Sequence, residues 1–397
     1  MKKITAFCLL LVAMSGGFSQ TFTAYTSDDG LVDNWVNGVA VDSDNVKWFA
    51  TQSGVSSFDG TTWTTYTTAD GLVYNDAKCI AIDNDQNIWV GTDFGACKFN
   101  GTTWTTYSSA DGLVNDGVTY IAVNQDGKIW FATYGGLSIL DGTTWTNYTT
   151  LDGMSSDLIN FIAFAPSDLT YIGTFGDGFM TFDGSSFVAY NTDNGLIDNA
   201  VTSIVFEGSN VWVSTLYGVS RFTDEPSWAQ NYIATDGLYY AMVRDMLVDD
   251  FGHIWFAIYA DYILEGGLTK YNGTDWITYT QDQGVTGVIM KRLAKDINGN
   301  IWVATGDGVT EINLSVNAPL LSDHDNLTFF PNPSNDVVNF SFAGNITGIS
   351  VSDISGNIVA TLSGTDKNLD ITGFAPGLYF INYIENNTPK SQKLVVY

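Results

Sequence analysis

Two sets of residues recur at intervals of about 40 positions and carry side chains that could bind a ligand. One set is aromatic and the other consists mostly of Asn and Asp. Aromatic rings stack on the CH faces of sugars, while carboxylates and amides hydrogen-bond to hydroxyl groups, so the two sets together suit a saccharide. The aromatic set is Phe94, Tyr134, Phe175, Tyr217 and Tyr259, and the polar set is Asn34, Asn75, Asp116, Asp157, Asn199 and Tyr240.

The polar set has a second interpretation with equal support. Short Asn and Asp side chains also hydrogen-bond to nearby backbone groups and so close turns. In that case the set is structural. We keep its two aspartates, Asp116 and Asp157, with the aromatic residues as candidate ligand-binding residues.

An insertion in the sixth repeat adds further candidates. There, Tyr271 follows Trp255 by 16 residues, whereas the equivalent pair in the first repeat, Trp48 and Phe58, is 10 residues apart. The six extra residues fall within residues 259–267. Asp261 and Glu265 could form the acid and base pair of a polysaccharide hydrolase or lyase, since glycosidases use two carboxylates roughly 5–9.5 Å apart. Tyr262 joins the candidate ligand-binding residues. A neutral insertion fits equally well, because surface loops tolerate added length.

Nucleophilic and metal-dependent chemistry have little support. The chain contains two histidines, His253 and His324, and neither lies beside a nucleophile motif. The hairpins that begin at Asp42 and Asp83 start like calcium loops, but Ser53 and Phe94 stand where the twelfth-position Glu belongs. We therefore expect ordinary Asx hairpins and predict no metal site and no cofactor, with calcium as the remaining alternative.

The elements that must position these residues are β-strands. An aromatic residue marks each repeat. The first four intervals between successive markers are 41 residues each, and the last two are 43 and 47 residues. A period of about 40 to 45 residues with strand-like composition is typical of β-propeller blades, each of four strands. Asp-Gly or Asn-Gly pairs before the fourth strands predict tight hairpins. The marker residues are Trp48, Trp89, Trp130, Tyr171, Trp212, Trp255 and Trp302.

Two residues after each marker stands a small residue, which predicts a crowded contact between adjacent blades. The markers themselves are expected to fill the space between blades. Cys79 and Cys97 fall on strands that are not neighbours, about 9 to 10 Å apart, so we predict two buried thiols and no disulfide. The small residues are Ala50, Gly91, Ala132, Gly173, Ser214, Ala257 and Ala304.

The seventh repeat lacks a fourth strand, and the missing strand is found at the N-terminus. Phe22, Tyr25 and Gly30 have the spacing of Trp63, Tyr66 and Gly71 in the first repeat. Pairing the N-terminal strand with the segment near Glu311 removes two open sheet edges. The predicted fold class is all-β: a seven-bladed β-propeller at residues 20–315, closed by an N-terminal strand and followed by a small antiparallel β-sandwich.

The segment GLVYNDAKCIAIDNDQNIWVGTDFGA at residues 71–96 resembles the two-component-regulator propeller repeat, and the likeness extends over residues 21–315. In that family the repeats form periplasmic sensors of membrane-bound histidine kinases, often for polysaccharides, and they also occur in secreted proteins. Streptogramin lyases resemble the same repeats and rely on a catalytic histidine. The surroundings of His253 do not match that context.

The C-terminal segment resembles the type A sorting domain of the type IX secretion system. The likeness rests on FPNP (330–333), DISGNI (353–358), PGLYF (376–380) and KLVV (393–396). It implies that residues 327–397, after a linker at 316–326, are read by the type IX secretion machinery. The protein is then exported through the periplasm and is secreted or attached to the outer cell surface.

The N-terminus and the charge agree with export. Residues 1–19 have two lysines, a short apolar run and small residues, which predicts a signal peptide rather than a membrane span. The net charge is −28, from 15 basic and 43 acidic residues, so nucleic acid is excluded as a partner. No other segment is apolar enough to be a transmembrane segment.

These observations predict a secreted or cell-surface recognition protein that binds an extracellular glycan or protein through its loop face. Binding is favoured over catalysis because few acid–base candidates stand out. The alternatives are the polysaccharide hydrolase or lyase with carboxylates at the propeller mouth, and a purely structural surface protein.

Overall fold

The computed structural model describes residues 20–223, 225–259, 267–314, 327–330, 337–342, 346–353, 356–362, 367–385 and 388–396. The predicted signal peptide and linker lie outside these residues. The chain divides into two compact units, Thr21–Asn313 and a second unit that contains the described residues from Leu314 onward. Within the described part of the chain, no helix has the length and apolar character that a membrane crossing requires.

In its described part, the larger unit consists of seven antiparallel sheets of four strands each. The first three sheets follow the N-terminal strand β1 (Thr21–Tyr25) and contain, in order, β2 (Val36–Val41), β3 (Lys47–Thr51), β4 (Gly54–Phe58) and β5 (Trp63–Tyr66); β6 (Ala77–Ile82), β7 (Ile88–Thr92), β8 (Gly95–Phe99) and β9 (Trp104–Tyr107); β10 (Val118–Val123), β11 (Ile129–Thr133), β12 (Gly136–Asp141) and β13 (Thr144–Tyr148).

The next three sheets repeat this plan, and short 3-10 turns at Thr150–Asp152, Thr192–Asn194, Ala234–Asp236 and Gln281–Gln283 follow the fourth strands of sheets three to six. These sheets contain β14 (Ile159–Phe164), β15 (Thr170–Thr174), β16 (Phe179–Phe182) and β17 (Phe187–Tyr190); β18 (Val201–Glu207), β19 (Asn210–Thr215), β20 (Gly218–Thr223) and β21 (Glu225–Tyr232); β22 (Val243–Val248), β23 (Ile254–Ile258), β24 (Leu268–Tyr271) and β25 (Trp276–Tyr279).

The seventh sheet joins the two ends of the unit. It contains β26 (Met290–Lys295), β27 (Ile301–Thr305) and β28 (Gly308–Asn313), and β1 pairs antiparallel with β28. Phe22 lies opposite Ile312, and the Tyr25 ring stacks on Trp302 with 5.6 Å between the ring centroids. The predicted pairing of the N-terminal strand with the segment near Glu311 is therefore confirmed.

The seventh sheet also packs against the first. Phe49 of β3 and Trp302 of β27 lie in one buried cluster, with their ring centroids 5.9 Å apart. The ammonium of Lys47 lies 5.0 Å from the Trp302 ring centroid. As predicted, the marker aromatic residues are buried, with at most 7% of their surface exposed.

In the two sheets where the small residue of the second strand is glycine, it lies at a crowded contact, as predicted. A Cβ placed on Gly91 of β7 would lie 2.5 Å from Cys79 Sγ and 2.6 Å from a methyl group of Val118 in the next sheet. A Cβ on Gly173 would lie 2.7 Å from Val201 of the following sheet. Cys79 and Cys97 are both free and buried, so the predicted thiols are confirmed.

An aspartate in the first hairpin of four sheets ties the turn to the marker tryptophan. In the first sheet, one carboxylate oxygen of Asp42 accepts the backbone N–H groups of Asp44 and Val46, at 3.0 and 2.8 Å. The other oxygen accepts the indole N–H of Trp48 at 2.9 Å. Asp83 bonds Trp89 in the same way at 2.8 Å, so both predicted Asx hairpins use their carboxylates within the turn.

The third sheet breaks this arrangement. Asn124 occupies the position of the aspartate and still accepts the backbone N–H of Lys128, at 2.8 Å. The buried indole N–H of Trp130 has no hydrogen-bond partner. An unpaired buried donor destabilises the folded state by about 1 to 3 kcal/mol.

The smaller unit contains two antiparallel sheets that share one core. Leu327, Val338 and Phe340 of one sheet pack in the same cluster as Val351 and Ile381 of the other. This arrangement agrees with the predicted small sandwich. The sheets have the strand orders β29 (Leu327–Phe330), β30 (Val337–Phe342), β33 (Asn368–Asp370), and β32 (Ile358–Leu362), β31 (Ile346–Asp353), β34 (Gly377–Glu385), β35 (Thr388–Val396).

The crowding at Gly91 predicts that Gly91→Ala lowers the free energy of unfolding by about 1 to 3 kcal/mol, because the added methyl overlaps Cys79 and Val118. Urea denaturation measures this change. Gly176→Ala is the matched control, since no atom lies within 4 Å of its added Cβ. Equal stability of the two variants would contradict the assigned contact.

The unpaired Trp130 indole predicts that Asn124→Asp raises the free energy of unfolding by about 1 kcal/mol, because the new carboxylate oxygen accepts the buried N–H. Asn100→Asp is the control: it adds the same charge to an exposed turn whose cap already accepts from Thr102 and Thr103. A denaturation midpoint for Asn124→Asp no higher than that of the control would refute this account.

Candidate functional site

Each first strand of the seven sheets contains a β-bulge directly after its first residue. A bulge inserts one unpaired residue and redirects its side chain. The bulged residue is polar in all seven sheets, and the residue before it is buried in each of them. These ring residues are Asn37, Lys78, Thr119, Asn160, Thr202, Arg244 and Lys291.

Four ring residues link their sheet to the next one. Each is an Asn or Thr, and each donates a hydrogen bond to the backbone carbonyl that precedes the ring residue of the following sheet. The bonds run from Asn37 to Ala77 (2.8 Å), Thr119 to Ile159 (2.7 Å), Asn160 to Val201 (2.7 Å) and Thr202 to Val243 (2.5 Å).

The other three ring residues have basic side chains. Lys291 Nζ donates to Asn37 Oδ1 at 2.7 Å and lies 3.7 Å from the centroid of the Trp35 ring. The Arg244 guanidinium lies 4.7 Å from the centroid of the Tyr259 ring. Lys78 pairs with Asp76 at 2.7 Å and with Asp93 at 3.2 Å. Positive charge thus concentrates where the first strands converge.

These side chains surround a cavity of about 230 Å³, which we name the central cavity. Four of its described lining residues are Lys or Arg and none is acidic, in a chain whose net charge is −28. The described lining residues are Trp35, Asn37, Lys78, Asn160, Thr202, Arg244, Tyr259, Lys291 and Arg292.

Arg292 of β26 lines the cavity and contacts residues of several other sheets. Its Nη1 lies 3.4 Å from the carbonyl oxygens of Thr202 and Arg244. Its guanidinium stacks over the Tyr120 ring at 5.0 Å, and buried Asp245 lies 3.6 Å away. Burial raises the pKa of the Asp245 carboxyl, an effect that the Arg292 charge opposes. Arg292 is therefore paired with Asp245 within the fold.

The pKa of Lys291, in the central cavity, is strongly lowered. Burial, followed by the charge of Arg244, lowers its pKa from 10.5 to about 7. Lys78 lowers it further, whereas Asp76 and Asp33 oppose the shift. Lys291 therefore exchanges its proton near neutral pH, unlike an ordinary lysine.

A second, more open cavity of about 470 Å³ brings two predicted residues together. It is lined by Tyr134 and Asp116 with Asp93 and Asn115 among others, and we name it the outer groove. One carboxylate oxygen of Asp116 accepts the backbone N–H of Ser109 at 2.6 Å. The groove is acidic, in contrast with the central cavity.

The predicted polar set caps turns. Each of its five Asn and Asp residues accepts a backbone N–H seven residues earlier, so the structural interpretation of the set is confirmed. A ligand role for Asp116 and Asp157 stays a prediction. The bonds reach Asn34 from Ser27 (2.7 Å), Asn75 from Thr68 (2.8 Å), Asp116 from Ser109 (2.6 Å), Asp157 from Thr150 (2.6 Å) and Asn199 from Thr192 (2.9 Å).

The predicted aromatic residues fall into two groups in the structure, one ring at the central cavity and four exposed rings. Tyr259 lines the central cavity. The other four rings lie on the hairpins between second and third strands in four consecutive sheets and face solvent. Their exposed fractions are 57% for Phe94, 46% for Tyr134, 42% for Phe175 and 67% for Tyr217.

The candidate catalytic residues gain no geometric support. Asp261, Glu265 and the neighbouring Tyr262 lie outside the described residues, as does His324. His253 lies in the hairpin before β23, at the opposite end of that strand from Tyr259, and its Nδ1 is 3.1 Å from Asp249. Among the described residues, no group of three or more His, Cys, Asp or Glu side chains is placed to hold a metal ion.

Sequence reasoning missed the central cavity. Lys78, Arg244 and Lys291 occupy equivalent repeat positions at which other sheets carry Asn or Thr. The change from Asn or Thr to Lys or Arg is the feature of the sequence that could have indicated the cavity. Its meaning was hidden because the alternation of a regular strand does not show which way the side chain at a bulge points.

Comparison with family models confirms both resemblances found in the sequence. Residues 328–397 match the secretion system C-terminal sorting domain, and residues 71–94 match the two component regulator propeller. The sorting domain indicates involvement of the type IX secretion system and export to the cell surface or secretion. No curated protein matches the chain.

Solved structures with a propeller fold are similar to this chain at low sequence identity. The extracellular domain of a hybrid two component system from B. thetaiotaomicron is 18% identical, with a TM-score of 0.66 over 95% of this chain and 57% of that one. PorZ, a surface component of the type-IX secretion system of Porphyromonas gingivalis, is 17% identical, with a TM-score of 0.63 over 94% and 60%.

A streptogramin B lyase is 15% identical, with a TM-score of 0.61 over 75% of this chain and 98% of that one. At these identities the likeness shows a propeller fold. The chain spans less than two thirds of the length of the first two proteins.

The environment of Lys291 predicts an amine that titrates near pH 7, because burial and Arg244 disfavour its charge. Lysines can be labelled by ¹³C reductive methylation and followed by NMR between pH 5 and pH 11. One resonance should titrate about three units below the others and disappear in Lys291→Met. Lys295→Met, at the exposed end of the same strand, should leave it unchanged. If every lysine titrates above pH 9, the assigned environment is wrong.

Proposed function

We propose that the seven sheets form one closed seven-bladed β-propeller that begins near residue 20 and is followed by a linker and the sorting domain. Three observations support closure. Strand β1 pairs with β28, the first and seventh sheets share a buried cluster, and Arg292 touches residues of several other sheets. A signal peptide at residues 1–19 completes the proposed domain arrangement.

We infer that this exported propeller is a recognition protein that binds an extracellular glycan through its loop face. We define the loop face as the hairpins between second and third strands together with the loops that precede the first strands. The four exposed rings on these hairpins carry the inference. Their repeated exposure contrasts with the buried marker aromatics of the same sheets.

Exposed aromatic rings at equivalent positions form a surface suited to sugar rings. Phe94 meets Tyr74 edge to face, with 4.7 Å between centroids, and Tyr134 lies 5.9 Å from Phe175. The outer groove places Asp116 and Asn115 beside Tyr134. The surface therefore combines aromatic rings, which can stack on the CH faces of sugars, with carboxylate and amide groups, which can hydrogen-bond to sugar hydroxyls. A protein ligand is the alternative that the same surface permits.

The proposed glycan surface predicts that the double variant Phe94→Ala and Tyr217→Ala weakens glycan binding by about 10-fold to 100-fold, because two ring contacts are removed. A glycan array identifies the ligand, and isothermal titration calorimetry measures the loss. Val188→Ala, an exposed apolar residue on a fourth strand, is the control and should bind normally. The proposal fails if no glycan binds the wild-type protein or if the double variant binds as tightly.

A further inference from the structure

We propose that the central cavity binds the anionic group of an acidic saccharide, a carboxylate or a sulfate ester. This inference rests on the proposed glycan recognition and specifies the charge of its ligand. The structural observation is the convergence of Lys78, Arg244 and Lys291 from three sheets on one cavity.

The structural role of the ring positions does not need these charges. Asn37, Asn160 and Thr202 show that a neutral side chain at a ring position suffices to link one sheet to the next. Lys78, Arg244 and Lys291 instead place three basic side chains around one cavity, at positions that Asn and Thr fill in the other four sheets. This convergence of basic side chains points to an anionic ligand.

The basic groups are held in place by neighbouring side chains. The Lys291 ammonium lies over the Trp35 ring and donates a hydrogen bond to Asn37 Oδ1. The Arg244 guanidinium lies over the Tyr259 ring. Lys78 is shared with Asp76 and Asp93 at the edge of the cavity. An anion entering the cavity would meet oriented donors, and guanidinium and ammonium groups are the usual partners of carboxylate and sulfate oxygens.

The size of the cavity sets the size of the ligand. A volume of about 230 Å³ is close to that of roughly eight water molecules, taking about 30 Å³ for each. It can accept one sugar residue and its acidic substituent. The remaining sugars of a longer chain would extend over the loop face.

Binding should be linked to the protonation of Lys291. The charged and titratable groups around it are Arg244 and Lys78, which disfavour its proton, and Asp76 and Asp33, which favour it. A bound anion favours the proton as well, so the complex takes up a proton on forming. Affinity then falls as the pH rises from 6 to 8.

The experiment is isothermal titration calorimetry of the full chain with three probes of similar length. They are trigalacturonate, a sulfated chondroitin trisaccharide and neutral maltotriose. We expect one acidic probe to bind at least 10-fold more tightly than maltotriose at pH 6.5, and the identity of that probe distinguishes carboxylate from sulfate. Its affinity should fall at pH 8.

Lys291→Gln removes the charge while keeping a donor for Asn37, and it should weaken acidic binding at least 10-fold and abolish the pH dependence. Lys295→Gln, on the same strand but paired with exposed Asp250, is the matched control and should have no effect. The melting temperature of each variant verifies folding, and Lys78→Gln provides a second charge-removing variant.

Three outcomes overturn the inference. Neutral and acidic probes binding equally, with dependence on Phe94 and Tyr217, leave the proposed glycan recognition intact and refute the cationic site. Acidic binding that is unchanged in both Lys291→Gln and Lys78→Gln places the anion elsewhere. Absence of binding by any saccharide refutes both proposals together.

Discussion

The structure depends on one constraint, the close approach of each four-stranded sheet to the next. A sheet of four short strands cannot bury both faces by itself, and here the gap is so narrow that the Cβ of an alanine at Gly91 would overlap Val118 of the following sheet. The marker tryptophans are buried, and four of their indoles are held by hairpin aspartates such as Asp83. The same contact recurs along the unit, which explains why the chain repeats itself.

Where the first strands converge, the same constraint has a different consequence. Neighbouring first strands have no backbone ladder between them, so the bulged ring residues supply the link with hydrogen bonds such as that from Asn160 to the Val201 carbonyl. In six of the seven sheets the bulged polar side chain lines the central cavity, while the residue before it stays buried. The scaffold thereby provides a set of equivalent positions that can change from neutral to charged with little effect on the packing around them. Lys78, Arg244 and Lys291 occupy three of these positions.

The features that could be predicted from the sequence are those that every repeat shares. The strands, the turns, the small residue at Gly91 and the pairing of Phe22 with the last sheet followed from comparing seven similar segments, in which chance variation cancels. The site was harder to predict for the opposite reason. Asn34 and Asp157 recur because they cap turns, so their repetition indicated scaffold and not function. Lys78, Arg244 and Lys291 differ from the Asn and Thr of the other four sheets, and only their position at a bulge shows that they face the cavity.

The contrast between global and local charge gives the central cavity a selectivity that neither provides alone. A chain with a net charge of −28 repels long polyanions, and at physiological ionic strength this repulsion extends over a Debye length of about 8 Å. The cations of the central cavity lie inside the structure and act only on groups that enter it. A single acidic sugar at the end of a saccharide is repelled only weakly by the protein surface and is attracted by the cations once it enters the cavity. A long polymer with a charge on every sugar meets both, so the electrostatics favour a short or terminal acidic saccharide over a long, uniformly charged chain.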